Sequence, residues 1–491
     1  MRAIHIYKTD NVAVCLENGQ KGDVIDSLNV ILTEPIPAGH KVALQDIAQD
    51  AQIIKYGYPI GTATCSIAKG AWVHTHNVKT NLDDLLEYSY NPGSEPLAPT
   101  EPRTFLGYLR ADGRVGVRNE IWVIPTVGCV NGVAKHLVRN CEHLVGGSLE
   151  KITAFCHPLG CSQCGQDLKN TQMLLSGIVK NPNAGGVLVL GLGCEVNHLD
   201  AFKTVLGDVD DSRIRFLNCQ SVEDEIAEGS RIIEELAELV KQDKRTEHPV
   251  GKLIVGLKCG GSDGFSGITA NPVVGNFSDR LIAMGGSTIL TEVPEMFGAE
   301  TILMDRCTTE ENFRKTVRLI NDFKSYFKKY GETIYDNPSP GNKAGGITTL
   351  EDKSLGCTQK GGTAPVCGVL AYGEQVKEQG LNLLSAPGND LVASTACAAA
   401  GAQIVLFTTG RGTPFACPVP TVKIATNPTL AAKKSNWIDF SAAPAAAGTP
   451  IAELGSDLME YVLCLASGRS FTKSEINDYQ EIAIFKDGVT E

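Results

Sequence analysis

Two histidines one residue apart, His74 and His76, lie in "GAWVHTHNVKTNL" (residues 70–82), in a chain with nine histidines altogether. In an extended strand alternate side chains share a face, so these imidazoles would stand about 6–7 Å apart on one side. Such a pair chelates one metal ion, holds one anion, or ends a hairpin as two half-exposed polar residues. Cysteines form the second set. Sixteen are dispersed along the chain, which reads as reduced thiols and not as the disulfide framework of a small secreted domain. Cys15, Cys219, Cys307 and Cys464 sit in apolar strand or helix contexts and read as core. Cys129, Cys161, Cys164, Cys194 and Cys259 instead fall in the glycine-rich turns "TVGCVNG" (126–132), "HPLGCSQCG" (157–165), "GLGCEVN" (191–197) and "LKCGGSDGFSGITANP" (257–272). Glycine allows tight turns and close backbone approach to a ligand.

The thiols leave several readings open. Cys161-x-x-Cys164 lacks the second pair of a structural zinc site and the context of a thioredoxin-like redox pair. Cys161, Cys194 and Cys259 together offer ligands for an iron ion or an iron–sulfur cluster; otherwise they are small, soft residues lining turns. No nucleotide cofactor is expected: "GLGCEV" has Val196 where a dinucleotide fingerprint needs glycine, and "GGSDGFSG" lacks the Lys-Ser/Thr of a phosphate loop. Cations able to clamp a carboxylate are present in Arg114 and Arg118 beside Asn119, in Arg411 within a Gly-Arg-Gly turn, and in Lys423 near Asn427.

These residues need a scaffold. At 491 residues, 43% hydrophobic and 20% charged, the chain suits a multidomain globular protein. A formal charge of −12 argues against a nucleic-acid partner. The sequence opens with no signal-peptide pattern and contains no run of about 20 apolar residues that would span a membrane. Residues 1–88 read as short strands broken by Gly and Pro, a small β domain. Residues 89–103, "SYNPGSEPLAPTEPR", hold four prolines and read as a linker on which that domain moves. From 104 to 247, and again from 248 to 491, strands alternate with helical patterns, which predicts two α/β domains with mainly parallel sheets. The amphipathic run after residue 221 predicts a helix with Ser221 and Asp224 as its capping pair. Ligands in such folds bind beyond the carboxyl ends of the strands, where the cysteine-bearing turns fall.

The motifs "KYGYPIG", "WVHTHN", "HPLGCSQ", "KCGGSDGFSGITANPVVG", "EVPEMFGAE", "GNKAGGITTLEDKSLGCTQKGG" and "TTGRGTP" run the length of the chain. Together they resemble the altronate and galactarate dehydratase family of sugar-acid hydro-lyases. The resemblance implies a β-clip (SAF-like) first domain, a second domain associated with dimerisation, and a Rossmann-like carboxyl-terminal domain. It also implies loss of water from a sugar acid, D-altronate to 2-dehydro-3-deoxy-D-gluconate, with ferrous iron or manganese. A cytoplasmic homodimer is implied as well. Galactarate as substrate and a sugar-acid-binding protein without turnover stand as alternatives.

That reaction removes a proton next to a carboxylate and expels the neighbouring hydroxyl. It needs a base, a divalent ion to stabilise developing charge, and polar contacts to a polyhydroxylated chain. The expected bases are His157 and Lys258. Arg118, Asn119, Ser262, Asn271, Arg411 and Lys423 are the expected substrate contacts. For the metal, one site uses His74 and His76; a rival lies in the loops, with Cys161, Cys194, Cys259 and Asp263, and Glu195 as a further oxygen ligand or acid.

Overall fold

The computed structural model describes residues 1–82, 85–91, 93 and 95–490. The amino-terminal unit is built from antiparallel strands. Ala3–Ile4, Val12–Cys15, Lys41–Ala43 and Trp72–Val73 form one sheet, and Gln52–Lys55, Tyr58–Ala63 and Val78–Lys79 a second. Its apolar cluster, including Val12, Val14, Ile53, Tyr56 and Ile60, continues into Ile268, Ala299 and Leu355 of the carboxyl-terminal unit. Gly264 shows how close the two units come: a Cβ there would lie 1.9 Å from the carbonyl oxygen of Gly39. The seam is a packed interface.

The expected tether is fastened along the same body. Tyr88 donates its hydroxyl to Glu300, Tyr90 packs on Phe313, and the Gly93 and Thr100 amides bond Asp305 O and Ala283 O. Residues 92 and 94 of the linker lie outside the described residues.

The second unit holds four parallel strands in the order Lys151–Ala154, Glu120–Pro125, Ala184–Gly191, Ile214–Asn218. Helices Asn131–Cys141 and Glu225–Val240 bury one face of this sheet. Asp224 alone caps the latter helix, accepting from the Ile226 and Ala227 amides; Ser221 belongs to a preceding turn and does not pair with it. The other face shares its core with the third unit through Trp122, Leu174, Ile178, Ala396 and Val405. The predicted break near residue 247 falls inside a strand, Thr246–Pro249, which pairs back to Thr104–Leu109.

Seven parallel strands form the third unit's sheet, in the order Val366–Leu370, Gly380–Leu384, Ser287–Leu290, Ile254–Cys259, Ile404–Thr409, Thr421–Ala425, Phe440–Ser441. From the central strand Ile254–Cys259 the chain builds first to one side and later to the other. The carboxyl end of that strand is therefore the place where such sheets open a crevice. Cys259 is its last residue. Of the cysteines expected in the core, Cys15 and Cys307 are buried, while Cys219 and Cys464 are partly exposed.

Candidate functional site

Around Cys259 the chain collects buried charge. Strand Ile254–Cys259 brings Lys258 and Cys259, the turn Val293–Met296 brings Glu295 with Glu292 before it, and helix Leu350–Cys357 brings Lys353 and Cys357, with Lys360 one turn on. All are buried. Cys259 Sγ lies 3.1 Å from Glu295 Oε2 and 3.5 Å from Cys357 Sγ, and Cys357 Sγ lies 3.2 Å from Glu295 Oε2. Glu292 holds a left-handed backbone, φ 68°, a strained conformation for a residue with a side chain. Its carboxylate takes the Cys259 amide at 2.9 Å and the Lys258 ammonium.

Electrostatics follow from the pairing. The hydrogen bond from Cys357, with Lys360 and Lys258 nearby, draws the Cys259 thiol down to about 6, and the same bond pushes Cys357 well up. The pair therefore holds one thiolate and one thiol. Burial opposes charge on Glu295, but Lys353, Lys258 and Lys360 outweigh it and hold the carboxyl well below its usual range. Lys353 sits 2.7 Å from Glu295 Oε1.

Cys259, Glu295 and Cys357 are the one group of three His, Cys, Asp or Glu donors, among the described residues, whose atoms fall within 4.8 Å of one another. A tetrahedral ion with metal–sulfur bonds near 2.3 Å needs its sulfurs about 3.7 Å apart, so the group receives one after a shift of a few tenths of an ångström. The donor set fits a divalent metal that accepts sulfur and oxygen together.

The structure places the predicted residues differently from expectation. Lys258 is held as an ammonium: burial disfavours that charge, yet Glu292 and Asp390 (the latter at 3.0 Å) outweigh it and raise its pKa well above the ordinary value. His157 is buried with Nε2 2.8 Å from Pro125 O and Nδ1 accepting the Leu159 amide, so both ring nitrogens brace a loop. Arg118 pairs with Glu475 and three backbone carbonyls, and Asn119 bonds Arg110, Ser148 O and Val240 O; both fasten the second unit and are not placed to meet substrate. Asn271 bonds Gly356 O and Thr408, and Lys423 bonds Phe415 O and Ser474, again within the scaffold. Asp263 accepts from Ser266, Thr426 and Asn427, and so ties loops together instead of offering a free oxygen ligand. Glu195 likewise accepts from Thr126 and from the Leu192 and Gly193 amides.

Ser262 and Arg411 remain able to meet a ligand. The Ser262 hydroxyl is buried without a partner, and Arg411 is exposed with its Nε donating to Gly341 O.

Residues 74–76 form a turn after the short strand Trp72–Val73, so the premise of two imidazoles on one strand face does not hold. His74 stacks on Trp72 and meets His40 edge-on at 4.8 Å, while His76 lies beside the same indole. These rings face segment 344–348, through His40 to Ala344 O at 3.4 Å and His74 to Thr348 Oγ1 at 3.3 Å. Burial, with Lys41 close by, lowers His40 to about 4 and His74 to about 3, so both rings are neutral. Below them Asp352 takes Lys41 at 2.7 Å and Lys55 at 2.8 Å, an ion triad buried across the seam. Cys161 and Cys194 belong to exposed loops of the four-stranded sheet and do not join Cys259.

Sequence reasoning missed Glu292, Glu295, Lys353, Cys357 and Lys360, although they stand in "EVPE" and "KSLGCTQK". The usable signal was Gly356-Cys357, a Gly-Cys pair like those at 128–129, 160–161 and 193–194.

A small antiparallel β unit clamped over the end of a parallel sheet, above a buried thiol–carboxylate group, defines a multidomain α/β enzyme with a metal-capable centre. Residues 1–81 match the altronate/galactarate dehydratase SAF domain, 107–241 the second domain of D-galactarate dehydratase/altronate hydrolase, and 250–490 the D-galactarate/altronate dehydratase carboxyl-terminal domain. The chain is 54% identical to an altronate dehydratase of Bacillus subtilis (strain 168), over 99% of both chains. It is 52% identical to an altronate dehydratase of Escherichia coli (strain K12), over the whole of both. It is 34% identical to the galactarate dehydratase (L-threo-forming) of the same strain, over 96% of this chain and 94% of that one. The chain belongs to the altronate/galactarate dehydratase family and is a hydro-lyase.

Proposed function

We propose that this enzyme dehydrates D-altronate to 2-dehydro-3-deoxy-D-gluconate. The observation that carries the reading is end-to-end similarity to altronate dehydratases, well above that to the galactarate enzyme. The metal is Fe²⁺, with Mn²⁺ as its substitute, held by Cys259, Glu295 and Cys357; the mixed thiol and carboxylate donors support it. When bound, the ion supplies Lewis-acid stabilisation of the charge that grows on the substrate carboxylate.

The chain's own groups do the rest. Lys258, Lys353 and Lys360 balance the buried Glu292 and Glu295 carboxylates around the thiol pair. Arg411 and the Ser262 hydroxyl contact the sugar acid. His76, at the edge of the seam beside Trp72, is the group that takes and returns protons; His40 and His74, kept neutral by burial, pack on the same indole. The packed seam excludes water from the reacting atoms. We read the seven-stranded sheet as Rossmann-like from its strand order about Ile254–Cys259. The homodimer and cytoplasmic location rest on the family resemblance.

Anaerobic turnover of D-altronate and of galactarate, with Fe²⁺, Mn²⁺ or chelator, tests the reading by formation of the 2-keto-3-deoxy acid. Altronate turnover that the chelator abolishes supports it. Preference for galactarate overturns the substrate, and turnover unaffected by chelator overturns the metal.

A further inference from the structure

The four-stranded sheet ends in a second set of thiols that this reaction scheme does not use. Each of its three neighbouring strands Lys151–Ala154, Glu120–Pro125 and Ala184–Gly191 leads into a loop with a Gly-Cys pair: 160–161, 128–129 and 193–194. The strands are parallel, so all three pairs lie at one edge.

The loops are bonded into one surface. The Gly128 amide donates to Leu159 O, the Val196 amide to Cys161 O, the Asn197 amide to Gly160 O, and Asn197 Nδ2 to Thr126 O. Gly160 has φ +100°, and a Cβ there would lie 2.1 Å from Thr126 O, so only glycine lets these loops meet.

All three thiols are exposed, which is unusual for free cysteine. They do not close into a set of three donors within 4.8 Å, as Cys259, Glu295 and Cys357 do; their spacing exceeds what one ion spans. Two already accept hydrogen bonds at sulfur, Cys194 from Gln220 Nε2 at 3.6 Å and Cys161 from the Ser162 hydroxyl at 3.9 Å. The same loops contain polar atoms with no partner. Gln163 is 4% exposed with Nε2 unbonded, and Asn197 is 0% exposed with Oδ1 unbonded. A buried amide donor left unpaired is costly unless something accepts from it.

We propose that this edge is an iron–sulfur cluster site, with Cys129, Cys161 and Cys194 as its thiolate ligands and Gln163 Nε2 donating to cluster sulfur. A multi-iron cluster bridges thiols too far apart for one ion and accepts hydrogen bonds at sulfur. With three protein ligands, one iron keeps a position open to an oxygen ligand. Cys164, exposed at the N-cap of helix Gly165–Val179 and outside the three Gly-Cys pairs, is left out of the proposed ligand set.

The test is anaerobic reconstitution of the full chain with ferrous iron, sulfide and a thiol, followed by visible absorption and acid-labile sulfide. The expected result is about four irons and four sulfides per chain, on top of any mononuclear metal. Sulfide is lost in each of Cys129→Ser, Cys161→Ser and Cys194→Ser and kept in Cys164→Ser and Cys259→Ser. As a second readout, reconstitution slows alkylation of the three thiols, which requires no variant to fold. Iron without labile sulfide, sulfide retained in the triple serine variant, or unchanged alkylation overturns the proposal. Loss of sulfide in Cys259→Ser alone would place the cluster at the other sheet. None of these outcomes depends on which sugar acid is turned over.

Discussion

Two parallel sheets in this chain end in cysteines, and they treat them in opposite ways. At the seven-stranded sheet, Cys259 and Cys357 are sealed among three lysines and two glutamates, within 3.5 Å of each other. At the four-stranded sheet, Cys129, Cys161 and Cys194 stand exposed on glycine turns. Burial is the difference. A sealed thiol must be matched in charge and hydrogen bonding by its neighbours, because an unpaired charge in low dielectric is costly. An exposed thiol needs only a backbone that holds its place. The first arrangement ties function to packing; the second separates them.

That contrast is most directly broken at the sealed edge. Cys357→Ser should lower turnover about 10²–10³-fold, the scale for losing one electrostatic stabiliser of a developing charge, with loss of bound metal; normal turnover with bound metal would remove Cys357 from the centre. Asp352→Asn leaves Lys41 and Lys55 charged and unpaired in the seam. Chemical denaturation should show about 3–5 kcal/mol lost, with Trp72 fluorescence reporting release of the amino-terminal unit.

Gly160→Ala tests the glycine scaffold of the open edge and should cost at least about 1–3 kcal/mol, the strain at positive φ, with the clash of its Cβ against Thr126 O added to it. Acid should loosen the seam before the rest. Burial depresses His40 and His74 to about 4 and about 3, so the unfolded chain binds more protons below its ordinary histidine value of about 6.5. The stability from these neutral rings is complete above that pH and is lost as the pH falls toward the folded values. A midpoint independent of pH between 7 and about 4 would show that the rings titrate freely. Cys161→Ser should change the stability of the metal-free chain by less than about 0.5 kcal/mol, as exposed substitutions do. A larger loss would mean that the open edge is packed after all.

Parts of this were legible in one dimension. The β pattern before residue 88, the proline-rich segment and the strand–helix alternation follow from local rules of turn residues and apolar periodicity. So did the importance of strand-end loops, because parallel sheets leave ligand sites there. Roles of individual side chains were not. His157 and Lys258 have the right chemistry for a base, yet one has both nitrogens bonded to backbone and the other is held as an ammonium by two acids. Ser262 keeps its hydroxyl without a partner and Arg411 stands exposed; Arg118 and Asn119 turned out to fasten the fold.

The chain by itself determined a small β unit at its start with an α/β pattern after it, the family through its long motifs, and the concentration of glycine and cysteine at strand ends. Only the tertiary structure decided that Cys259 belongs with Glu295 and Cys357 and not with Cys161 and Cys194, and that the first unit is clamped down by Asp352. The physical reason is range. Propensity and periodicity act over a few residues, whereas a thiol's partner or a buried lysine's counter-ion arrives from strands and helices tens to hundreds of positions away.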